Sequence, residues 1–446
     1  MPRLFGTDGV RGKINSELSC TLAYQIAGAA ADVLDGLRQG SVLIGRDTRL
    51  SGQMLEAAMT AGFAERGVHV ISAGVVPTPA VAYLVPETGA AAGVMITASH
   101  NGAEYNGVKL FGADGRKLPD SVEDDIEAHV KSGCPADRAK FDRIGRVERH
   151  ERLSKLYASH LLSSVPDALR PMRVVLDCAN GSASCIAPML FASVGMEVEA
   201  LHAQPDGLNV NERCGSTDTQ ALRARVASSG ADVGFAFDGD GDRLIAVDET
   251  GREVDGDEII FICATHMASK GMLRAGAVAG TVMSNMGLEL SLKKHSIDLH
   301  RAQVGDRYVM ETMEKYGLSL GGEQSGHIVF SDYANTGDGM LTALQVLRIM
   351  SETGLPLSAL AAQMERMPQY VCSARVPKER CGVCLAHPAV AAEIERLHAA
   401  YAGHGRLLVR PSGTEPVIRI MTEHPDGKLA QRDAERLKQL IESAIS

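Results

Sequence analysis

Three aspartates, Asp238, Asp240 and Asp242, lie close together in the chain and alternate with glycines. Side chains two residues apart on an extended backbone project to the same side, and the glycines leave room for a tight turn around a small cation. Oxygen-only ligands suit a hard ion such as Mg²⁺ or Ca²⁺, whereas zinc usually draws on Cys and His. The loop therefore predicts a divalent-cation site, and we favour Mg²⁺ over a solvated acidic turn.

A calcium-binding helix–loop–helix is the alternative interpretation of this loop. Its aspartates occupy loop positions one, three and five, and Glu249 occupies position twelve. Position six, however, is Arg243 rather than the glycine that such loops use. The flanking segments 233–237 and 244–247 are short apolar runs, which are typical of buried strands rather than helices. These flanks favour the Mg²⁺ interpretation.

Ser99 and His100 follow an apolar strand and precede an Asn-Gly turn. Adjacent Ser and His residues do not by themselves make a catalytic pair. A serine that carries a phosphoryl group needs a nearby cation, because phosphoserine adds a charge of about −1.5 to −2 at pH 7. A Mg²⁺ ion shared by the Ser99 oxygen and the aspartates would offset that charge and polarise the phosphorus. Lys109 is a candidate for stabilising the transition state or for acid–base transfer, and a surface lysine is the alternative.

Two further polar loops offer groups that suit a phosphorylated sugar. In segment 321–327, Glu323 can accept hydrogen bonds from sugar hydroxyls, and His327 titrates in the range of proton transfer. Segment 410–416, with Arg419, combines hydroxyls, a glycine and guanidinium groups into an anion cradle for a non-reacting phosphate. Ordinary polar connections are the alternative for both. The sequence carries no nucleotide-binding motif, so the phosphoryl group is expected to come from the substrate.

The strands and helices that position these loops follow an order that occurs three times along the chain. Similar apolar strands begin at Val42, Val174 and Ala277, and each is followed by a helical stretch and a second apolar strand that runs into a polar loop. This alternation predicts three related α/β domains with mainly parallel mixed sheets, whose ligand loops cluster beyond the carboxyl ends of the strands. After Met367 strands and helices mix, which predicts a smaller α+β domain. The predicted domains are 1–152 with the phosphoserine loop, 153–254 with the Mg²⁺ loop, 255–367 with the sugar loop and 368–446 with the phosphate cradle.

Composition limits the possible partners and compartment. The chain has 446 residues, a net charge of −10, no Trp and 4% aromatic residues, which argues against nucleic-acid binding. The sequence contains no signal-peptide segment or membrane-spanning apolar run, so no membrane contact and a cytoplasmic location are expected. Nine scattered cysteines indicate reduced thiols. Cys372, Cys381, Cys384 and His387 could be assembled into a zinc site, but there is no second Cys pair and the segment is predicted to be a loop.

Taken together, four segments resemble the signature loops of the α-D-phosphohexomutase superfamily. They occur in the expected order and span nearly the whole chain: Thr97–Asn101, Asp238–Arg243, Gly322–His327 and Arg410–Pro416. The resemblance implies three domains with a shared α/β core and a last domain similar to the TATA-box-binding protein. The zinc cluster is not part of this pattern.

The resemblance also implies roles for individual residues. Ser99 would be the phosphoserine, and Asp238, Asp240 and Asp242 would bind one Mg²⁺ per subunit together with it. The reacting phosphate would be lined by Arg11, His100, Lys109 and Arg243, and the candidates for acid and base are Lys109 and His327. The sugar hydroxyls would be bound by Glu323 and Ser325. The distal phosphate would be bound by Arg410, Ser412, Gly413, Thr414 and Arg419.

The opening segment Phe5–Gly12 and the form of the sugar loop are most similar to bacterial members that act on hexosamine phosphates. The implied isomerase reaction interconverts glucosamine 6-phosphate and glucosamine 1-phosphate through a sugar bisphosphate, for UDP-N-acetylglucosamine and cell-envelope synthesis. A phosphomannomutase or phosphoglucomutase is the nearest alternative, because no residue can be singled out for the 2-amino group. A non-catalytic cation-binding or sugar-phosphate-binding protein is the other. Dimers are common in this subgroup, so the resemblance favours a homodimer.

Overall fold

A computed structural model describes residues 3–6, 8–134, 138–150, 152–166, 168–412 and 416–444. The chain forms two compact units, Met1–Thr281 with His300–Ala362, and Val282–Leu299 with Gln363–Ser446. No helix in the described part of the chain combines the length and the hydropathy that crossing a bilayer requires.

The first sheet is a mixed sheet covered by helices. Its elements are β1 (Val10–Lys13), α1 (Cys20–Val33), β2 (Ser41–Arg46), α2 (Leu50–Glu65), β3 (His69–Val75), α3 (Thr78–Thr88), β4 (Ala92–Ile96), β5 (Tyr105–Gly112), α4 (Asp120–Lys131) and β6 (Val147–Arg149). The strand order is β1-β5-β4-β2-β3-β6, and β5 runs antiparallel to both of its neighbours. β4 is buried at every position, as expected for a central strand with helices on both faces.

The second sheet repeats this plan in a smaller form. Its elements are α5 (Leu153–Leu162), β7 (Arg173–Asp177), α6 (Ala187–Ser193), β8 (Glu197–Leu201), α7 (Gln220–Ser229), β9 (Val233–Phe237), β10 (Leu244–Asp248) and β11 (Glu253–Val254). The order is β11-β10-β9-β7-β8, with β7 parallel to β8 and β9. β9 and β10 form an antiparallel hairpin that pairs Phe237 with Leu244. The loop between these two residues holds the aspartate cluster.

The third sheet has the order β13-β12-β14-β15. Its elements are α8 (Gly256–Ser269), β12 (Ala277–Thr281), α9 (Met286–Lys294), β13 (Asp298–Ala302), α10 (Asp306–Tyr316), β14 (Leu320–Gly322), β15 (Ile328–Phe330), α11 (Gly339–Thr353) and α12 (Leu357–Ala361). β14 is parallel to β12 and antiparallel to β15. A capping box between Asp255 and Glu258 fixes the start of α8.

The last sheet is small and antiparallel, with the order β16-β18-β17. Its elements are β16 (Gln369–Arg375), α13 (Cys381–Ala386), α14 (Pro388–Tyr401), β17 (Arg406–Pro411), β18 (Val417–Glu423) and α15 (Gly427–Ser443). Ile418 and Ile420 of β18 belong to an apolar core that includes Leu397 and Leu437. Short 3-10 turns in the described residues lie at Leu37–Gln39, Phe141–Arg143, Ser182–Cys185, Gly215–Thr217, Arg274–Gly276 and Lys378–Arg380.

The predicted fold class is confirmed, since three mixed α/β sheets precede a smaller α+β domain. The predicted domain boundaries near residues 152, 254 and 367 stay predictions. Several strands of the α/β domains were not predicted: β3, β8 and β13, which lie between the two strands that the apolar runs predicted, and also β1, β5, β6, β11 and β15. β8 and β13 are only partly buried and mix charged with apolar residues, so they lack the continuous apolar run of the central strands.

The loop predicted around Cys381 and Cys384 is wrong, because this segment forms α13. The two cysteines are spaced i, i+3 and are both buried in the core of the last domain.

Candidate active site

Three of the polar loops meet in the first unit, each at the carboxyl end of a strand. Loop 97–102 follows β4, loop 238–243 closes the β9–β10 hairpin, and loop 323–327 joins β14 to β15. The backbones of the last two loops are hydrogen-bonded to each other. Arg243 and His327 form an isolated antiparallel β-bridge, and the Leu244 N–H donates to the Gly326 carbonyl over 3.0 Å. The structure thus brings these three loops together, as predicted from the strand–helix alternation.

Ser99 is buried and points at the aspartate cluster. Its Oγ donates a 2.7 Å hydrogen bond to Oδ2 of Asp238, and it lies 3.4 Å from Nδ1 of His100. Its backbone is left-handed, with φ +51°, which is uncommon for a residue other than glycine. A hydrogen bond of 2.9 Å from its N–H to the Thr97 hydroxyl helps to hold this turn. The serine hydroxyl and the aspartates therefore share one site.

The three aspartates have the arrangement of a cation site. One oxygen from each of Asp238, Asp240 and Asp242 lies within 4.8 Å of the others, and all three residues are buried. Oδ1 of Asp240 and Oδ1 of Asp242 are buried and have no hydrogen-bond partner among the residues that the structure describes. Buried carboxylate oxygens without partners are costly, so their presence fits a hard divalent cation with oxygen ligands.

The pKa shifts of the aspartates also indicate a cation site. Burial, followed by the carboxylates of Asp242 and Asp240, raises the pKa of Asp238 well above its ordinary value. Burial also raises the pKa of Asp242, but Lys109 and His327 outweigh it and hold that pKa well below the ordinary value. The protein's own cations therefore neutralise only part of the cluster. A bound divalent cation would let all three carboxylates ionise together.

Lys109 is a buried member of the site and not a surface lysine. Its Nζ lies 2.9 Å from Asp240 Oδ2, 3.4 Å from Asp242 Oδ2 and 3.1 Å from Asp8 Oδ2. Burial lowers the pKa of Lys109, but Asp240 and Asp8 outweigh it and raise that pKa well above the ordinary value. The side chain is therefore an ammonium group at neutral pH, which suits it to donate a proton or to stabilise negative charge.

The other predicted phosphate ligands surround this cluster. Arg11 donates to Oδ1 of Asn101 over 2.7 Å and to Oδ2 of Asp8 over 2.8 Å. The backbone N–H of Arg243 donates to Oδ1 of Asp238 over 3.2 Å, while the buried side-chain Nε of Arg243 makes no hydrogen bond within the described residues. Burial, together with the charges of Arg243 and Arg11, lowers the pKa of His100 to about 4. His100 is therefore a neutral group beside two guanidinium groups.

The sugar loop places its side chains in different environments. Glu323 is half-buried and its Oε1 accepts a 2.9 Å hydrogen bond from the Gly305 N–H, whereas Ser325 is exposed. His327 is buried, its Nε2 accepts a hydrogen bond of 3.1 Å from the Gly337 N–H, and its Nδ1 lies 3.7 Å from Asp242 Oδ2. Both ring nitrogens of His327 are thus engaged by the protein.

The predicted phosphate cradle belongs to the second unit. Arg410 on β17 pairs in register with Arg419 on β18, and burial together with the Arg419 charge lowers the pKa of Arg410. The buried Ser412 donates its N–H to the Val417 carbonyl over 2.9 Å. Gly413 and Thr414 lie outside the described residues.

The two alternative metal interpretations fail on geometry. The aspartate loop joins two antiparallel strands rather than two helices, and Glu249 accepts hydrogen bonds from Ser358 at a distance from the loop. The calcium-binding helix–loop–helix is therefore wrong. The Cys372, Cys381, Cys384 and His387 side chains do not form a metal-binding group within the described part of the chain. Nδ1 of His387 instead accepts the Ala389 N–H at the start of α14.

Sequence reasoning missed several partners of this site. Asp8 contacts Lys109 and also Lys117, and Lys117 contacts Asp306 of α10. The Thr78 hydroxyl donates to Oδ2 of Asp240 over 2.6 Å. Asp8 lies in the glycine-rich opening segment, which was a usable signal. Thr78 begins α3 and carried none.

Sequence models of one protein family match nearly the whole chain. They are the phosphoglucomutase/phosphomannomutase α/β/α domains I, II and III, at residues 2–135, 155–251 and 255–367, and the C-terminal domain of the same family at residues 374–440. The chain belongs to the phosphoglucomutase/phosphomannomutase family. It is therefore an isomerase of the phosphohexomutase class.

Relatives and solved structures of the family agree with this assignment. A phosphoglucosamine mutase of Thermoanaerobacter pseudethanolicus is 48% identical over 447 residues, covering 100% of both chains. A phosphoglucomutase/phosphomannomutase family protein of Burkholderia thailandensis has the same fold, with a TM-score of 0.82 at 24% identity over 99% of this chain and 97% of that one. An N-acetylphosphoglucosamine mutase of Aspergillus fumigatus, solved with GlcNAc-6P and magnesium, matches with a TM-score of 0.70 at 18% identity over 99% and 96% of the two chains.

Proposed function

We propose that this phosphohexomutase interconverts glucosamine 6-phosphate and glucosamine 1-phosphate, with Ser99 as the phosphoryl carrier. The observation that carries the proposal is the buried Ser99 hydroxyl, 2.7 Å from Asp238 in a cluster with unpartnered carboxylate oxygens. The 48% identity to a full-length phosphoglucosamine mutase supports the choice of sugar.

Each half-reaction exchanges one P–O bond for another. A free hydroxyl of the sugar phosphate attacks the phosphorus of phosphorylated Ser99, so that a P–O bond to the sugar forms and the bond to Ser99 Oγ breaks. The attacking hydroxyl loses its proton and Ser99 Oγ regains one. The resulting sugar bisphosphate turns around, and Ser99 then takes back the other phosphoryl group. The net result moves the phosphate between C6 and C1.

The chain's own residues have defined tasks in this scheme. Asp238, Asp240 and Asp242 would hold one Mg²⁺ with the Ser99 oxygen, and this ion, when bound, supplies positive charge to the transferring phosphoryl group. Arg11, His100 and Arg243 are proposed to bind that phosphoryl group, because they lie around the cluster and the buried Arg243 Nε makes no hydrogen bond within the described residues. Glu323 and Ser325 are proposed to bind sugar hydroxyls, and Arg410, Ser412, Gly413, Thr414 and Arg419 to bind the distal phosphate.

Of the two candidates for proton transfer, the contacts favour Lys109. Its ammonium group contacts Asp240 in the same carboxylate cluster that Ser99 Oγ contacts, so a protonated donor lies in one cluster with the departing Ser99 oxygen. Both ring nitrogens of His327 already have partners in the protein. His327 is therefore proposed to orient Asp242 rather than to exchange protons with substrate.

A substrate panel tests the proposed function. Turnover of glucosamine, glucose and mannose 6-phosphates should be measured side by side at matched concentrations with Mg²⁺. We expect the highest kcat/KM with glucosamine 6-phosphate, and intact-mass measurement should show one phosphate that maps to Ser99. Equal kcat/KM values on the three sugars would contradict the glucosamine assignment, and an active enzyme without phosphate on Ser99 would contradict the carrier role.

A further inference from the structure

A fully buried arginine stands behind the loop that carries Ser99. Arg49, at the start of α2, is 1% exposed, and every N–H of its guanidinium group has an acceptor. Nε donates to Asp47 Oδ2 over 2.8 Å. The two terminal nitrogens donate to four carbonyl oxygens of one loop, those of Ser99 at 2.9 Å, Asn101 at 2.8 Å, Tyr105 at 3.0 Å and Gly102.

The Ser99 carbonyl is held from three sides. Besides Arg49, the Asn211 side chain donates to it over 2.8 Å and to the Asn101 carbonyl over 2.9 Å. Gly239 of the aspartate loop approaches so closely that a Cβ there would lie 2.7 Å from the same oxygen. These contacts hold the peptide group between Ser99 and His100 in place, and the Ser99 backbone itself is in the left-handed region. The Ser99 side chain takes no part in these contacts, and its Oγ faces Asp238.

The turn that Arg49 occupies does not itself need an arginine. Within the turn, Asp47 Oδ1 accepts the Arg49 backbone N–H over 3.0 Å, a hydrogen bond that any residue other than proline can donate. The backbone at Arg49 has φ −54°, which needs no particular side chain. The guanidinium group serves the loop 99–105 and not the start of α2.

We propose that Arg49, assisted by Asn211, is a positioning residue for phosphoryl transfer, which it supports by locking the backbone of the Ser99 loop. The inference rests on the proposed function, because it gives Ser99 the carrier role. Phosphoryl transfer depends on holding the nucleophile in line with the phosphorus, and a misplacement of about 1 Å can cost roughly 10²-fold in rate. A lysine keeps the charge but has only three donors and no planar fork, so it cannot hold four carbonyls and Asp47 together.

The test compares two buried arginines of the same domain. Arg49→Lys should lower kcat by about 10- to 100-fold with KM unchanged, and should slow the single-turnover transfer from phosphorylated Ser99 by the same factor. Arg66→Lys is the matched control, because Arg66 is also buried but pairs with Asp32 and Glu65, away from the loop. It should lower the melting temperature while kcat stays at the wild-type value.

A second pair of variants covers the case in which Arg49→Lys does not fold. Asn211→Gly removes the two side-chain hydrogen bonds to the loop, tolerates the left-handed backbone at this position (φ +57°) and should lower kcat without raising KM. Asn209→Gly is its control, because Asn209 bonds to Asp206 and Gln204 in the neighbouring turn. Wild-type kcat in a folded Arg49→Lys protein, or equal kcat in the two asparagine variants, would overturn the inference. A wild-type enzyme that is active without phosphate on Ser99 would instead overturn the proposed function.

Discussion

At the scale of single residues, the site is a balance of buried charges. Asp238, Asp240 and Asp242 face the cations Lys109 and Arg243, and two of the carboxylate oxygens make no hydrogen bond within the described residues. Asp8 and Lys117 extend this network. Because buried ion pairs are costly unless every group is compensated, this arrangement fits an acidic group that binds a metal.

The charge balance predicts the effect of neutralising one aspartate. Asp240→Asn should reduce kcat by about 10²-fold or more, because one ligand charge is lost where the transition state needs it. Activity should also require more Mg²⁺ to saturate, which a metal titration of turnover and calorimetry would measure. Asp248→Asn is the control, since this buried aspartate lies at the other end of the same hairpin and bonds to Thr250 and Arg252. It should lower stability and leave the Mg²⁺ dependence unchanged.

At the scale of elements, glycines set how closely the loops approach. Gly326 has φ +90°, and a Cβ there would lie 2.1 Å from the Leu244 carbonyl at the end of the aspartate loop. Only glycine therefore permits the backbone bonds that join the sugar loop to the β9–β10 hairpin. The hydrophobic pattern of the strands brings the loops to one edge, and this close contact sets their final separation.

Gly326→Ala should accordingly displace the sugar loop. We expect a higher KM for the sugar phosphate together with a lower melting temperature, because a backbone clash cannot be relieved by a side-chain rotation. Gly317→Ala is the matched control, since Gly317 ends α10 with φ +65° and open space around its Cβ. It should cost about 1 kcal/mol of backbone strain and leave KM unchanged. Equal effects of the two variants on KM would contradict the close-contact argument.

Helix α4 carries a second prediction, on stability against pH. Burial raises the pKa of Glu123 from its ordinary 4.5 to about 7, and Arg307 opposes this only partly from 3.7 Å. Between these pH values the folded state binds more protons than the unfolded state, so the Glu123 contribution to stability falls as pH rises. Glu123→Gln should therefore raise the melting temperature at pH 8 and leave it nearly unchanged near pH 4.5.

The opposite pH dependence of stability is expected for Glu127, one helical turn further along α4. Burial raises the pKa of Glu127, but Lys131 and the N–H groups of Leu4 and Phe5 outweigh it, so that the pKa of Glu127 is lowered. Its stabilisation is present above the unfolded pKa and is lost as pH falls through the folded one. Glu127→Gln should therefore lower the melting temperature at pH 8, and the loss should shrink in acid. Thermal melts of both variants at several pH values check the two signs together.

At the scale of the whole molecule, an acidic chain gathers cations where phosphate is expected. The net charge is −10, yet Arg11, Lys109 and Arg243 lie around the serine loop and the aspartate cluster in the first unit. In the second unit, Arg410 and Arg419 form a cationic pair.

The phosphorylation state of the molecule should set its activity. Unphosphorylated Ser99 has no phosphoryl group to donate to the free hydroxyl of the substrate, so the sugar bisphosphate intermediate cannot form. Enzyme treated with a phosphatase should therefore be inactive on glucosamine 6-phosphate and should recover when glucose 1,6-bisphosphate is added. Turnover after each addition, with intact mass read in parallel, measures this. Recovery in a Ser99→Ala variant would contradict the proposal.

The fold class, the order of the loops and the types of chemical group they carry follow from the amino-acid sequence alone. Apolar runs and their alternation with helices are local signals, and a strand followed by a polar loop needs no tertiary information to be recognised. Partly exposed strands such as β8 and β13 escaped this approach, because their side chains lack a continuous apolar pattern.

Which of these groups are in contact follows from the tertiary structure. Lys109 is buried against Asp240, and the ring nitrogens of His327 lie near Gly337 and Asp242. Arg49 donates to the carbonyl oxygen of Ser99. These contacts join residues far apart in the chain, so no local pattern encodes them. Burial then set their charge states, because a pKa depends on the surroundings that folding creates and not on the residue alone.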